Sequence, residues 1–154
     1  MALREFVTHP LVLRRLEVQS VRDVTPRMRR VTLGGPEMSA FERDGLAHGP
    51  FHSPGFDDHV KVLFAEDGDV ESVLPVQLAE GIEWTPAPGR QARDYTPRRV
   101  DGGEVDLDFV LHGAGPAVAW ARSAQRGDAL WIVGPKSSIV VPDGLDWVLL
   151  VGDE

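Results

Sequence analysis

Cysteine is absent from the 154 residues, which excludes disulfides, thiolate metal sites and cysteine catalysis. Any redox chemistry must therefore be carried by a bound cofactor. Long apolar runs are missing too: no stretch approaches the roughly 20 apolar residues of a membrane helix, so no membrane insertion is expected. Met1-Ala2-Leu3-Arg4-Glu5-Phe6 lacks the apolar core and small-residue cleavage site of a signal peptide, and a cytoplasmic location is the expectation. Positive charge is in short supply. The formal net charge of -8 argues against general binding to a nucleic-acid backbone, and no nucleic-acid partner is expected. No internal repeat or low-complexity segment occurs. Of His48, His52, His59 and His112 only His48 and His52 are four apart, and they fall in a Gly- and Pro-rich stretch that reads as loop rather than helix, so no protein-held metal is expected.

What is present is a largely β pattern. Val12 to Val21 and Arg29 to Leu33 read as strands joined by a turn at Asp23-Val24-Thr25-Pro26. Gly34 to Asp57 has no sustained period and reads as a long loop, of a length that is usually functional or mobile. His59 to Ala65 is a strand. Glu71 to Trp84 is ambiguous: Leu74, Leu78 and Ile82 would share a helical face, but Pro75 and Gly81 oppose a helix. Ala92 to Val100 and Glu104 to Leu111 form a hairpin around Asp101-Gly102-Gly103, Ala117 to Ala124 is the one clear helix, and Ala129 to Val133 and Ser138 to Val141 are further strands. About six strands with one short helix inserted late suit an all-β fold, a small closed antiparallel barrel.

Within that frame, Arg93-Asp94-Tyr95-Thr96-Pro97-Arg98 places a cation, an aromatic face and a hydroxyl along one extended segment. Alternation puts Arg93 and Tyr95 on one side and Asp94 and Thr96 on the other. Arg93 can grip a phosphate, Tyr95 can lie flat against a fused ring system, and Thr96 can bond a ring heteroatom. That set suits a flavin, although the four residues taken alone read first as an ordinary exposed strand. The strand Val105 to Leu111 then runs into His112-Gly113-Ala114-Gly115-Pro116-Ala117, where Pro116 fits the first helical position. Free N–H groups at such a helix start can face a pyrophosphate, and a plain strand-to-helix connection is the alternative.

The charges are unevenly spread. Arg14, Arg15, Arg22, Arg27, Arg29 and Arg30 crowd the first strands, and Arg90, Arg93, Arg98 and Arg99 surround the flavin-like motif. A solvated face and an anion-binding rim both account for this. Lys61 in its strand is awkward unless it faces a cleft. Trp84, Trp120, Trp131 and Trp147 read as core or interface aromatics.

Taken in order, Asp58-His59-Val60-Lys61, the Arg93-to-Arg98 segment, Asp108 to Gly113, Gly115-Pro116-Ala117 with Trp120-Ala121, Gly127-Asp128 and Gly134-Pro135 resemble the siderophore-interacting proteins. These are FAD-dependent ferric-siderophore reductases of the ferredoxin-reductase-like superfamily. The resemblance runs from about residue 12 to the end. It implies a six-stranded Greek-key barrel with one short helix, with Arg93, Asp94, Tyr95 and Thr96 on the flavin and His112, Gly115, Pro116 and Ala117 at the pyrophosphate turn. It further implies that Lys61 and Lys136 hold an anionic ferric siderophore over the flavin, and that no side chain of the protein is needed as a general base or nucleophile. Two positions depart from the family pattern: Val118 stands where a small hydroxyl residue is common, and Ser137 where glycine is usual.

Residues 146–154, Asp146-Trp147-Val148-Leu149-Leu150-Val151-Gly152-Asp153-Glu154, look like the first strand of the family's NAD(P)H-binding domain. The expected organisation is an FAD-binding barrel over 1–145 followed by that stub, with NAD(P)H served by a domain absent here and a homodimer possible through the apolar tail. The alternative class is a non-catalytic barrel that holds FAD or a ferric chelate without reducing it.

Overall fold

Thirteen strands and one helix make up the computed structural model, which describes residues 4–151. They are β1 (Glu5–Thr8), β2 (Leu13–Thr25), β3 (Met28–Gly34), β4 (Phe41–Arg43), β5 (Leu46–His48), β6 (Val60–Ala65), β7 (Val76–Leu78), β8 (Gly81–Glu83), β9 (Arg90–Tyr95), β10 (Pro97–Asp101), β11 (Glu104–Val110), α1 (Pro116–Ser123), β12 (Ala129–Val133) and β13 (Ser137–Val140). Seven of the strands form one antiparallel sheet in the order β10-β11-β3-β2-β12-β6-β9. Its two edges, β9 and β10, are consecutive in the chain and separated only by Thr96, so the curled sheet is closed covalently at that residue.

Alternation in sequence makes the core. Leu16 and Val18 of β2, Val31 and Leu33 of β3, and Val105, Leu107 and Phe109 of β11 all turn inward and are buried. The outward face of the same strands is stitched by charge. Arg30 donates to both oxygens of Asp108 at 2.7 Å, directly across the β3–β11 register. Asp106 accepts from Thr32 Oγ1 at 2.7 Å and from Arg99 Nε at 2.8 Å. Burial works against the Asp106 carboxylate, but the Arg99 and Thr32 hydrogen bonds outweigh it and hold its pKa below the ordinary 3.8. A lowered carboxylate pKa means stability that is complete above 3.8 and is lost as pH falls through the lowered value. The melting temperature of the wild type should therefore fall more steeply than that of Asp106→Asn between about pH 5 and pH 2, and scanning calorimetry across that range checks it.

The expected strands differ from the observed ones in instructive places. Ala92 to Val100 is two strands: β9 pairs with β6, and only β10 forms the hairpin with β11. Pro97 has no N–H for the ladder, and the register shifts between Pro97 and Arg99. Ser138 to Val141 lies outside the barrel, since β13 pairs with β1 instead. The split of one strand raises the expected six in the barrel sheet to seven.

The expected loop Gly34 to Asp57 carries a 3-10 turn at Pro36–Met38 and the β4–β5 hairpin. Buried Arg14 ties this segment to the barrel end by donating to the carbonyls of Glu37 and Gly49. The ambiguous segment Glu71 to Trp84 is not helical beyond a 3-10 turn at Val70–Val73; it forms the β7–β8 hairpin. No helix among the described residues is long and apolar enough to cross a membrane. From Trp147 to Val151 no strand forms, and the apolar side chains stand exposed, Trp147 at 77% and Val151 at 87%. Met1-Ala2-Leu3 of the leader reading and Gly152-Asp153-Glu154 of the final run lie outside the described residues.

Candidate flavin site at the barrel seam

The seam where β9 passes into β10 is also where the chemistry-bearing side chains meet. Val60, Lys61 and Val62 of β6 stand opposite Tyr95, Asp94 and Arg93 of β9. Tyr95, the sole tyrosine of the chain, turns partly into the core and packs on Phe109 of β11, ring centroids 4.3 Å apart. Phe109 in turn lies 5.5 Å from the Trp120 ring of α1. This aromatic row joins the edge strand β9, strand β11 and the helix, so the Tyr95 ring is held by packing rather than by the backbone alone. Burial pushes the Tyr95 phenol pKa up, with Arg93 opposing more weakly, and the hydroxyl stays neutral at physiological pH.

Beyond β11 the chain turns into α1. Leu111 N–H donates to the Arg27 carbonyl at 2.7 Å, ending the strand, and Gly113 takes a φ of +64° that a side chain would disfavour. Gly115 caps the helix with φ -171° and ψ 164°, an extended conformation open to any residue. A Cβ added there would meet nothing within 4 Å. Neither backbone nor packing demands glycine at this point; what it preserves is open space in front of the helix start. Pro116 has no N–H, and the first helical bond runs from Ala119 N–H to the Gly115 carbonyl. The N–H groups of Ala117 and Val118 are thereby left without intrahelical acceptors.

One cavity of about 430 Å³ gathers these parts: Arg93, Asp94 and Tyr95 from β9, and His112, Gly115, Pro116 and Ala117 from the turn. Seven of the eight expected cofactor residues thus converge. Thr96 does not line it; exposed between β9 and β10, it serves as the link that closes the barrel. The sequence reading missed Asp108 and Val110, whose alternation on β11 brings them to the same wall. Asp108 is neutralised there by Arg30.

The basic residues differ in commitment. Arg90 donates to the Val73 and Thr85 carbonyls and Arg99 is bound to acids, whereas Arg93, among the described residues, donates only to its neighbour's carbonyl at Ala92. Lys61 does not line the cavity but touches it through Asp94, Nζ to Oδ1 2.8 Å. Exposed Lys136 lies in the turn from Gly134 to Ser137, which abuts the start of β6: a Cβ on Gly134 would come 3.3 Å from the His59 carbonyl. Ser137, where glycine was expected from the resemblance, opens β13 opposite Thr8, an extended position that suits a side chain.

An aromatic face, an apolar wall at Val110, a guanidinium without an acid partner and two outward N–H groups fit a flavin and its phosphates. The comparison with known families gives the class: the profile of the siderophore-interacting FAD-binding domain matches residues 17–139. The chain belongs to that family. Among curated relatives, this siderophore-interacting FAD-binding domain is 37% identical over 149 residues to the NADPH-dependent ferric-chelate reductase of Escherichia coli K12, covering 96% of the chain and 54% of the relative. It is 32% identical over 133 residues to the ferric vibriobactin reductase ViuB of Vibrio cholerae, covering 84% and 45%. The chain spans about half the length of the curated relatives it matches. A siderophore utilization protein from T. fusca superposes with a TM-score of 0.74 at 39% identity, covering 91% of this chain and 51% of that one. The cytochrome b5 reductase domain of Ulva prolifera nitrate reductase, at 14% identity and a TM-score of 0.51, shares the fold alone. FAD is accordingly the cofactor of this domain.

Proposed function

We propose that this domain is the flavin half of a ferric-siderophore reductase, in which electrons from NAD(P)H reach chelated Fe(III) and free it as Fe(II). FAD, when bound, supplies the conversion of a two-electron hydride donor into single-electron delivery. The chain's own residues bind and orient. Tyr95 provides the ring platform, Arg93 meets phosphate charge, the Ala117 and Val118 N–H groups face the pyrophosphate, and Gly115 keeps the approach clear. Asp94, His112 and Pro116 complete the proposed cofactor shell, with Thr96 beside it at the barrel seam, while Lys61 and Lys136 offer positive charge to an anionic ferric siderophore. The convergence of Arg93, Tyr95 and the His112-to-Ala117 turn on one cavity is the observation that carries the reading. Fe(II) leaves because the chelator grips the less charged ion less well.

The reading places residues 1–145 in the flavin barrel and 146–154 at the start of a nicotinamide-nucleotide domain. It also places the protein in the cytoplasm, where reduced nicotinamide is available. The exposed Trp147-to-Val151 stretch is the surface that the nucleotide domain, or a second copy in a homodimer, would cover.

The test begins with the absorbance spectrum of the purified chain and FAD titration of the wild type and Arg93→Ala. Chemically reduced, flavin-loaded protein is then mixed anaerobically with a ferric siderophore and an Fe(II)-specific dye. Flavin uptake weakened in Arg93→Ala, followed by dye development, supports the reading. Flavin uptake without Fe(II) release leaves a binding module instead.

A further inference from the structure

We propose that Asp94 sets the charge selectivity of the substrate side, by holding Lys61 in a weak pair that an anionic ferric chelate must break; this rests on the functional reading above. The two residues stand directly opposite in the β6–β9 register. Their side chains meet at 2.8 Å with 45% and 52% exposure. The neighbouring register pair is Val60 and Tyr95, so the ion pair leaves the strands on the face opposite the Tyr95 ring and reaches the cavity through Asp94, which lines it.

An ion pair this exposed contributes little, because water and salt screen it and two long side chains must be held in place. Little energy therefore stands between Lys61 and a competing partner. A multiply anionic chelate offers the lysine more negative charge than one carboxylate, and can displace Asp94. An uncharged chelate cannot. The other carboxylate on this wall, Asp108, is already bound on both oxygens by Arg30, so it neither competes for Lys61 nor repels an approaching anion as strongly. Among the described residues Arg93 meets no acid, which leaves it available to phosphate. Asp94 is thus the one carboxylate at the cavity whose charge is tied to the proposed substrate lysine, and it acts as a positioning residue through Lys61. Breaking the pair costs an anionic chelate part of what it gains from Lys61 and costs an uncharged one nothing, so removal of Asp94 should favour anions alone.

The test uses redox-inert gallium(III) chelates, so that binding is read without electron transfer. Isothermal titration of the full chain is run with a multiply anionic gallium tris-catecholate and with an uncharged gallium tris-hydroxamate. Asp94→Asn should bind the anionic chelate about two- to fivefold more tightly than the wild type, and the uncharged one equally well. In the Lys61→Gln background the Asp94→Asn gain should disappear, apart from the small uniform effect of net charge. Equal tightening for both chelates, a gain that persists without Lys61, or no measurable binding of the anionic chelate to the wild type would each overturn the proposal. FAD titration of the same proteins is a separate readout. Its failure in the wild type would sink the flavin reading, whereas the gallium comparison alone decides the role of Asp94.

Discussion

Tyr95→Ala should raise the dissociation constant for FAD about 5- to 150-fold and lower the melting temperature by about 2–8 °C. The first figure follows from the loss of one aromatic platform for a fused ring, about 1–3 kcal/mol by comparison with base–aromatic stacking. The second follows from packing: the Tyr95 ring lies 4.3 Å from Phe109 across the barrel seam. A fully buried aromatic truncated to alanine costs about 3–5 kcal/mol. Tyr95 is only partly buried, so about 1–2 kcal/mol is expected, at about 2–4 °C per kcal/mol for a domain of this size. Tyr95→Phe keeps the ring and the packing, and should bind FAD within about twofold of the wild type. Flavin fluorescence titration and calorimetry on the two variants separate the platform from the hydroxyl. Wild-type affinity in Tyr95→Ala would mean that the ring lies elsewhere.

Gly115→Val should weaken FAD binding by about 10- to 150-fold with little loss of stability. Its backbone is extended and its missing Cβ would touch no protein atom within 4 Å. The fold therefore tolerates valine there, at the cost of a poorer helix cap of up to about 1 kcal/mol. A branched side chain in that space would shield the Ala117 and Val118 N–H groups, and one lost charge-assisted hydrogen bond to phosphate is worth about 1.5–3 kcal/mol. Gly113 provides the contrast. At φ +64° it sits in the left-handed region, so Gly113→Ala should cost about 1–2 kcal/mol of stability even without ligand. FAD titration beside thermal melts reads both variants. Unchanged FAD affinity in a folded Gly115→Val protein would remove the helix start from the phosphate site.

Much of this site was legible before any coordinates. The Arg93-to-Thr96 segment and the His112-to-Ala117 turn are contiguous in sequence, and their backbone requirements are local: alternation in an extended strand, proline at a helix start, glycine before it. Lys61 and Lys136 were legible as cations but not in their settings, because a lysine's partner is chosen by strand register. The β6–β9 pairing that gives Lys61 to Asp94 joins residues 33 apart in the chain. The expected long strand from Ala92 to Val100 failed for a related reason. Tyr95, Thr96 and Val100 favour an extended chain and Pro97 fits a strand edge or bulge, but the two halves belong to opposite edges of a closing sheet, and only the meeting of those edges turns the proline position into a break. The 34–57 segment looked featureless since its organiser, Arg14, lies on another strand.

By itself the sequence determined the fold class, the exclusion of thiol chemistry and the two local motifs of the proposed flavin site, since composition, periodicity and turn residues act over a few neighbours. Only the tertiary structure decided that these motifs share one cavity, that Thr96 closes the barrel instead of lining it, and which acid each cation meets. Those outcomes depend on strand order and register, which are settled by the burial of Val31, Leu107, Phe109 and their partners together rather than by any one stretch of chain.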